Sequence, residues 1–491
     1  MRRICHCVLA LPVVLALSAT ACFGLQLAYD YAYVRDKVDP SIIRQIPCET
    51  DYIPNVVEAE NGAASFEALK AQAVAARTYL YYRLNSDVAV YDGTQDQVYS
   101  NAWAPLSQHY AAAQATEREI LQYPTSSGLI TICGFYVSGA IPDDTTGTAP
   151  FGVAEVPPDY DPHGVEKYVT YNYYNSGESI IQTSLGWRTS PPSRNAYNRG
   201  CKSQNGADFL SDRGWNYVDI LRFYYGADVR LVVAATPASG TKAAPKTLTN
   251  FELDEGYFNR NPDFSASSQN LLFGLGGSTA ERISGVAHGG LASQAIVLRY
   301  DYTSGQEFFY RHVSGTGPMG IATPVSNLAF EPIGSAGFWL LTNTPGLQVS
   351  LAINDDLGGD RGVRKNVVAD GQWHFYQWFL SNPAEWDPWA GGDGVVSGLA
   401  SIDSIQFFGR SDAIVYLDDV IYNPQAIPQT TLAGDITGDG RVNVFDLQRL
   451  GASWNKQQGQ PGYDPACDLN ADNKVNVFDL QIMGTNWNKS I

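Results

Sequence analysis

The C-terminal stretch repeats itself, and the repeat dictates what it can become. Asp435-Ile-Thr-Gly-Asp-Gly-Arg-Val-Asn-Val-Phe-Asp446 returns as Asp468-Leu-Asn-Ala-Asp-Asn-Lys-Val-Asn-Val-Phe-Asp479. Each copy places oxygen-bearing side chains at loop positions 1, 3, 5, 9 and 12 and a backbone carbonyl at 7, a spacing that suits a hard cation taking six to eight oxygens. The first set is Asp435, Thr437, Asp439, Asn443 and Asp446 with the carbonyl of Arg441; the second is Asp468, Asn470, Asp472, Asn476 and Asp479 with that of Lys474. Position 6 is Gly440 or Asn473, both tolerant of a left-handed backbone. Leu447, Leu450 and Trp454 after one loop match Leu480, Met483 and Trp487 after the other, so two loop-helix units are expected to share one small core over 434–491. Two calcium ions are predicted.

This arrangement resembles a type I dockerin, and the aspartate at position 12, where a typical EF-hand has glutamate, fits that family. The resemblance implies a cohesin-like partner recognised through loop positions 10 and 11, here Val444, Phe445, Val477 and Phe478. Their identity in the two copies would let either face the partner. They are apolar, unlike the Ser-Thr pair common in cellulosomal dockerins.

At the other end, Met1 to Ala21 carries Arg2 and Arg3, an apolar run from Val8 to Leu17 and small residues before Cys22, the pattern of a secretory signal peptide. A secreted or cell-envelope location is therefore expected, with membrane attachment only if Cys22 is lipidated. The 491 residues exceed one core and suggest about three domains. A net charge of -18 and a pI near 4.7 exclude phosphate-backbone binding, which needs clustered cations, so no nucleic-acid partner is expected. Beyond the leader, Cys22, Cys48, Cys133, Cys201 and Cys467 stand at no metal-finger spacing, leaving disulfides or isolated thiols open.

Between these ends, Ser65 to Leu80 is strongly helical, with Ser65 as N-cap, Glu67 in the first turn and alanines inside. Phe66, Leu69, Ala73, Ala76 and Leu80 form a core stripe beside a half-polar one of Lys70, Val74, Arg77 and Tyr81, and the small residues imply a close neighbour. Before the helix, Val57 to Gly62 reads as an acidic turn. Val56-Val-Glu-Ala-Glu60 followed by Phe66 to Tyr79 resembles the signature of the stage II sporulation protein D and amidase-enhancer (LytB) family. Asp92 to Tyr99, Ala111 to Tyr123, the strand Ile130 to Gly139, Asn198 to Ala207 and Gly214 to Gly226 extend the likeness over an α+β domain at 40–232. Where many members have His-Gly, this chain has Asn198-Arg199.

The resemblance implies lytic cleavage of peptidoglycan glycan strands, with Glu60 at the position of the catalytic glutamate. A general acid must stay protonated near neutral pH, so burial against Ile53, Val57 or Phe66 is expected to oppose the helix N-terminus, which would lower its pKa. Arg77, Gln97, Tyr99, Ser203 and Gln204, with Gln72 and Tyr79, are candidates for the groove; Lys70 and Arg77 read foremost as contacts orienting the helix. A non-catalytic amidase enhancer, which the family also contains, is the alternative, and a cell-wall assembly or binding protein is a further one.

Residues 233–249, small and proline-bearing, read as a linker. From 250 to 424, short aromatic and β-branched runs such as Ala295 to Tyr302, Gly337 to Thr342, Trp373 to Phe379 and Ala413 to Tyr422 predict an all-β sandwich. Asn250 to Gly256 and Val415 to Tyr422 resemble the end strands of jelly-roll carbohydrate-binding modules, which implies polysaccharide as ligand and a third calcium held by Glu252 and Asp419. Trp373 and Trp378 read as core; Trp386 and Trp389, in a loop-like segment, read as sugar-stacking contacts.

Overall fold

The computed structural model describes residues 25–100, 103–142, 161, 163–185, 195–253, 255, 257–315, 327–427, 433–437, 441–470 and 472–489. The leader, Cys22, Asp439 and Gly440 lie outside them. The chain forms two compact units, Met1–Ala426 and Ile427–Ile491.

The larger unit begins with β1 (Tyr31–Arg35), β2 (Ile43–Pro47) and β3 (Val90–Tyr91) in one small sheet, order β2-β1-β3. Helix α1 (Ile53–Asn61) follows. Pro54 sits in its first turn, where a fixed φ and a missing N–H cost nothing, and Ile53, Val56 and Val57 turn inward. The segment expected as an acidic turn is thus the last turn of a helix. Helix α2 (Phe66–Leu84) starts where predicted, and Ser65 holds the extended N-cap conformation. Its hydroxyl, however, donates to Asp208 at 2.8 Å instead of capping the first turn.

The two-stripe reading of α2 fails, because residues from Glu67 to Tyr82 are buried almost all round while Phe66 is exposed. A helix apolar on every side is a central one. Its alanines let α1, α3 (Ser107–Ala115), α4 (Gln204–Ser211), α5 (Tyr217–Tyr225) and strand β4 (Glu119–Thr125) pack around it. The expected close neighbour is Gly134, where a Cβ would lie 2.8 Å from the carbonyl of Ala75. That approach also breaks the predicted strand Ile130 to Gly139 into β5 (Gly128–Thr131) and β6 (Phe135–Val137), the latter pairing in parallel with β7 (Cys201–Ser203).

Strand β8 (Arg230–Val233) closes the helical half by pairing with β4, and then does more. It pairs in parallel with β13 (Ala329–Phe330), Ala329 opposite Val232, so one ten-stranded sheet, order β19-β16-β15-β20-β13-β8-β4-β5 with β12 on β20 and β17 on β15 off that path, runs from the helical half into the sandwich. The presumed linker is part of this packing. β9 (Lys246–Thr249) pairs with β21, and the buried Lys246 ammonium lies 3.6 Å from Glu119. Composition signalled irregular chain correctly, but not that both ends were anchored.

The sandwich faces that sheet with a six-stranded one, order β10-β11-β21-β14-β18, with β9 off the path. Its strands are β10 (Thr279–Ser284), β11 (Ala292–Leu298), β12 (Phe308–Val313), β13, β14 (Ser335–Thr342), β15 (Gln348–Asn354), β16 (Gly359–Gly362), β17 (Lys365–Asn366), β18 (Trp373–Phe379), β19 (Trp386–Pro388), β20 (Ala400–Gly409) and β21 (Ala413–Asn423). Phe338, Trp378, Val415 and Leu417 are buried with Val349, Leu351, Ile405 and Phe407 in the core. Trp378 is core as expected, its indole N–H donating to the carbonyl of Val363 at 2.8 Å. Trp373, also expected inside, is half-buried and edge-on to His288.

In the smaller unit, α6 (Val444–Ala452) and α7 (Val477–Thr485) are capped by Asn443 and Asn476, which accept from the N–H groups of Phe445 and Phe478. The shared core is Ile436, Val442, Leu450, Cys467, Val475 and Met483. Leu450 and Met483 are inside as predicted; Leu447, Trp454 and Trp487 are exposed, correcting the expectation. Each helix is short, so one turn reaches the centre and loop residues such as Val442 and Val475 complete it. Cys48, Cys201 and Cys467 are free, buried thiols, the second of the two readings, and Cys133 is buried as well.

Candidate active site and binding sites

Glu60 lies in the last turn of α1, half-buried, where three segments meet. The N–H of Val98 donates to its Oε1 at 2.9 Å, and Gln204 Nε2, from the first residue of α4, donates to its Oε2 at 3.1 Å. Burial raises its pKa, and this outweighs the lowering by the Val98 N–H, Gln204 and the nearby Lys202. The helix that carries Glu60 presents its negative dipole end there, which favours the protonated form too. The expected conflict with a helix N-terminus therefore disappears, since Glu60 belongs to α1 and not to the approach to α2.

Behind it stands a residue the sequence reading gave no role. Lys202 is fully buried on β7, its Nζ donating to Gln72 Oε1 at 2.8 Å, and burial lowers its pKa to about 7 against smaller raising effects of Cys201 and Glu60. The available signal was a lysine set between Cys201 and Ser203 in a glycine-rich segment.

The other groove candidates divide. Gln204 touches Glu60 directly. Gln97 is buried, accepting from Tyr52 at 2.9 Å and donating to the carbonyl of Ala76 and to Tyr136. Tyr99 is partly open, stacked on Tyr52 with centroids 5.4 Å apart and donating to Asp51. Ser203 caps α4 by accepting from Gly206 N–H and donates to the carbonyl of Ala140. Tyr79 donates to Asp96 at 2.7 Å. Arg77 is not in a groove at all: it is fully buried, forked onto Glu49 at 2.8 and 2.6 Å and bonded to the carbonyls of Glu119 and Ala113. Lys70 pairs with Glu67 at 2.5 Å and lies over the ring of Tyr217, the orienting role expected of it. Asn198 and Arg199 are structural, the first clasping the backbone of Thr183 and the second pairing with Asp228 over the ring of Tyr123.

In the sandwich, Trp386 is buried on β19 and its indole N–H donates to the carbonyl of Phe379 at 2.9 Å, so it is no sugar platform. The Asn382-Pro-Ala-Glu segment that looked like a loop folds back as a single turn and carries the ring inward. Trp389 is half-buried under the Arg311 guanidinium, 5.2 Å from its ring centroid. Of the carboxylates expected to hold a third calcium, Glu252 accepts from the N–H groups of Leu291 and Ala292 and Asp419 pairs with His288 at 2.7 Å. Both carboxylates are thus engaged by protein groups.

In the tail, Asp446 accepts from the N–H groups of Thr437 and Asn443, and Asp479 from those of Leu469 and Asn476, drawing position 12 of each loop back toward its start. Asn473 has a left-handed φ of 66°, as its place in the loop requires. The described donors are all oxygens and fit calcium. Val444, Phe445, Val477 and Phe478 are each 58–63% exposed, an unusual state for such side chains.

Residues 37–123 match the family model for stage II sporulation protein (SpoIID), and residues 433–486 match that for the dockerin type I domain. The first match includes Glu60, while the 198–207 segment with Lys202 lies beyond it. No curated protein matches the chain. Similar solved structures include TmCBM61 in complex with beta-1,4-galactotriose, 14% identical, TM-score 0.20, covering 36% of this chain and 99% of that one. Caldicellulosiruptor saccharolyticus CBM27-1 in complex with mannohexaose is 12% identical, TM-score 0.25, covering 38% of this chain and 100% of that one. An exo-beta-agarase is 14% identical, TM-score 0.23, covering 42% and 28%. At these TM-scores the likeness carries no inference.

Proposed function

We propose that this is an exported, glycan-acting modular protein that cleaves peptidoglycan glycan strands by lytic transglycosylation, with Glu60 as its acid. The supporting observation is a carboxyl kept toward its protonated form by burial while donors from Val98 and Gln204 fix its direction. Protonated Glu60 gives its proton to the glycosidic oxygen as the bond from C1 to that oxygen breaks. The 6-hydroxyl of the same sugar then bonds to C1, and its proton returns to the Glu60 carboxylate. One acid serves both steps, and no water is consumed.

In this reading the sandwich holds the chain on polysaccharide, and the tail, with two calcium ions, docks to a cohesin-like partner through Val444, Phe445, Val477 and Phe478. Export to the cell surface or medium follows from those modules. The inward orientation of Arg77, Gln97 and Ser203 favours a second reading, in which the helical half is a non-catalytic amidase enhancer.

The test is the yield of 1,6-anhydro ends from denuded glycan strands with wild type and Glu60→Gln protein, melts run alongside. Loss of a general acid costs about 100- to 10,000-fold, and glutamine keeps the shape. Activity lost at an unchanged melting temperature upholds the acid; equal activity removes it; no activity from either protein favours the enhancer.

A further inference from the structure

We infer that Lys202 is a positioning residue for the Glu60 proton: its buried amine, held by Gln72, sets the charge on Glu60 and steadies the carboxylate formed when that proton is given away. The catalytic half of this inference rests on the lytic reading above; the electrostatic half does not.

Lys202 is fully buried from solvent, and its side-chain acceptor is the neutral Gln72 Oε1. Gln72 is itself fully buried, and its Nε2 finds no partner among the described residues. An ammonium with three donors in such a place is costly, and what offsets the cost is a nearby anion. The groups around the amine narrow the choice. Cys201 on the same strand, Tyr136 on the paired strand β6 and Tyr225 on α5 all have their pKa values raised by burial and are neutral near pH 7. Tyr52, before α1, is likewise raised. Glu166, raised by burial, is engaged by Tyr171 and the N–H of Ala140. Glu60 belongs to the same cluster as the amine: Gln204, two residues on from Lys202, donates to its Oε2 at 3.1 Å, and the ring of Tyr136, 5.9 Å from Lys202 Nζ, bonds through its hydroxyl to Gln97, beside the Val98 N–H that holds Oε1. The attraction between Lys202 and Glu60 acts on both partners.

The two therefore titrate as a coupled pair. With Lys202 charged, ionised Glu60 is favoured; with Lys202 neutral, Glu60 keeps its proton to higher pH. During cleavage the ammonium remains intact: the proton moves between Glu60 and the sugar oxygens, and Lys202 only offsets the charge left behind. A lysine that merely filled space would leave the Glu60 titration alone.

The experiment uses the full chain, with calcium present and glutamate labelled at the carboxyl carbon. NMR follows the Glu60 titration, assigned by its loss in Glu60→Gln. In Lys202→Met the midpoint should rise by about one pH unit, within the range for removing a close opposite charge. In Gln72→Leu, which takes away the amine's acceptor and so favours its neutral form, the midpoint should move the same way. The alkaline limb of kcat/KM should follow in each variant. A Glu60 midpoint that stays put in both variants overturns the inference, and if Lys202→Met does not fold, Gln72→Leu decides it. Absence of anhydro products from wild type would defeat the lytic reading, yet the carboxyl titration would still decide whether Lys202 controls Glu60.

Discussion

Replacing Arg77 by methionine should cost stability and spare glycan recognition. Arg77 is fully buried and forks onto Glu49, with further bonds to the carbonyls of Glu119 and Ala113. Removing it leaves a largely buried carboxylate without its cation and two carbonyls without this donor, and breaking such a pair from one side costs about 3–5 kcal/mol. Spread over the unfolding entropy of a unit of roughly 400 residues, that is a fall of about 5 °C in its melting temperature. The companion variant Glu49→Leu/Arg77→Met removes the stranded charge as well. It should therefore be less destabilised than the sum of the two single changes, by about 1 kcal/mol or more. Calorimetry of the full chain in calcium measures the melts, and pull-down on insoluble glycan measures recognition. An Arg77→Met protein that melts like wild type but no longer binds glycan would refute the placement of Arg77 as a strut and restore it to a groove.

Residues 427–491, a compact unit of their own, should lose most of their helical circular dichroism on chelation, because so short a tail buries little and its clustered carboxylates repel without a cation; an unchanged spectrum would contradict this. Changing Phe445 alone to Asp should be partly rescued by the second copy, whereas changing Phe445 and Phe478 together should abolish capture of a cohesin-bearing partner; equal capture by wild type and the double variant would move the interface elsewhere. His312, buried between Tyr310 and Gln294, has its pKa lowered by burial to about 3. As pH falls from 6.5 toward 3 the unfolded chain binds a proton there that the folded chain refuses, so stability present above 6.5 is lost by up to about 1.4 kcal/mol per unit. Melts of His312→Gln should show a shallower loss over that window, and parallel curves would refute the assignment.

Legibility in the sequence followed the range of the forces involved. The helices after the two tail loops, α2 and the strands at 337–342, 373–379 and 413–422 rest on local spacing, and all are present. The last turn of α1 was misread because its acids resemble a turn until Pro54 and Val56-Val57 are seen to start and bury a helix. Arg77 keeps the orienting role read for it but not the groove one, and Trp386 and Trp454 lie elsewhere than expected, because polarity or ring size alone does not say which neighbour arrives: Glu49 draws Arg77 inward, Phe379 draws Trp386, and no facing residue covers Trp454. The role of Lys202 is hidden for the same reason, since Gln72 and Glu60 come from distant parts of the chain and its place in a glycine-rich segment is the one local signal.

The pairing of β8 with β13 also imposes an order of events on synthesis. A growing chain that has completed the helical half holds β8 as an open edge until residues 329–330 and the strands beyond them exist. An unpaired edge is a template for another chain, and partners so far apart in sequence meet slowly. The helical half thus spends its first moments with its most vulnerable strand uncovered, and a polypeptide ending near residue 240 would stay in that condition, inviting association between copies in place of the missing strand.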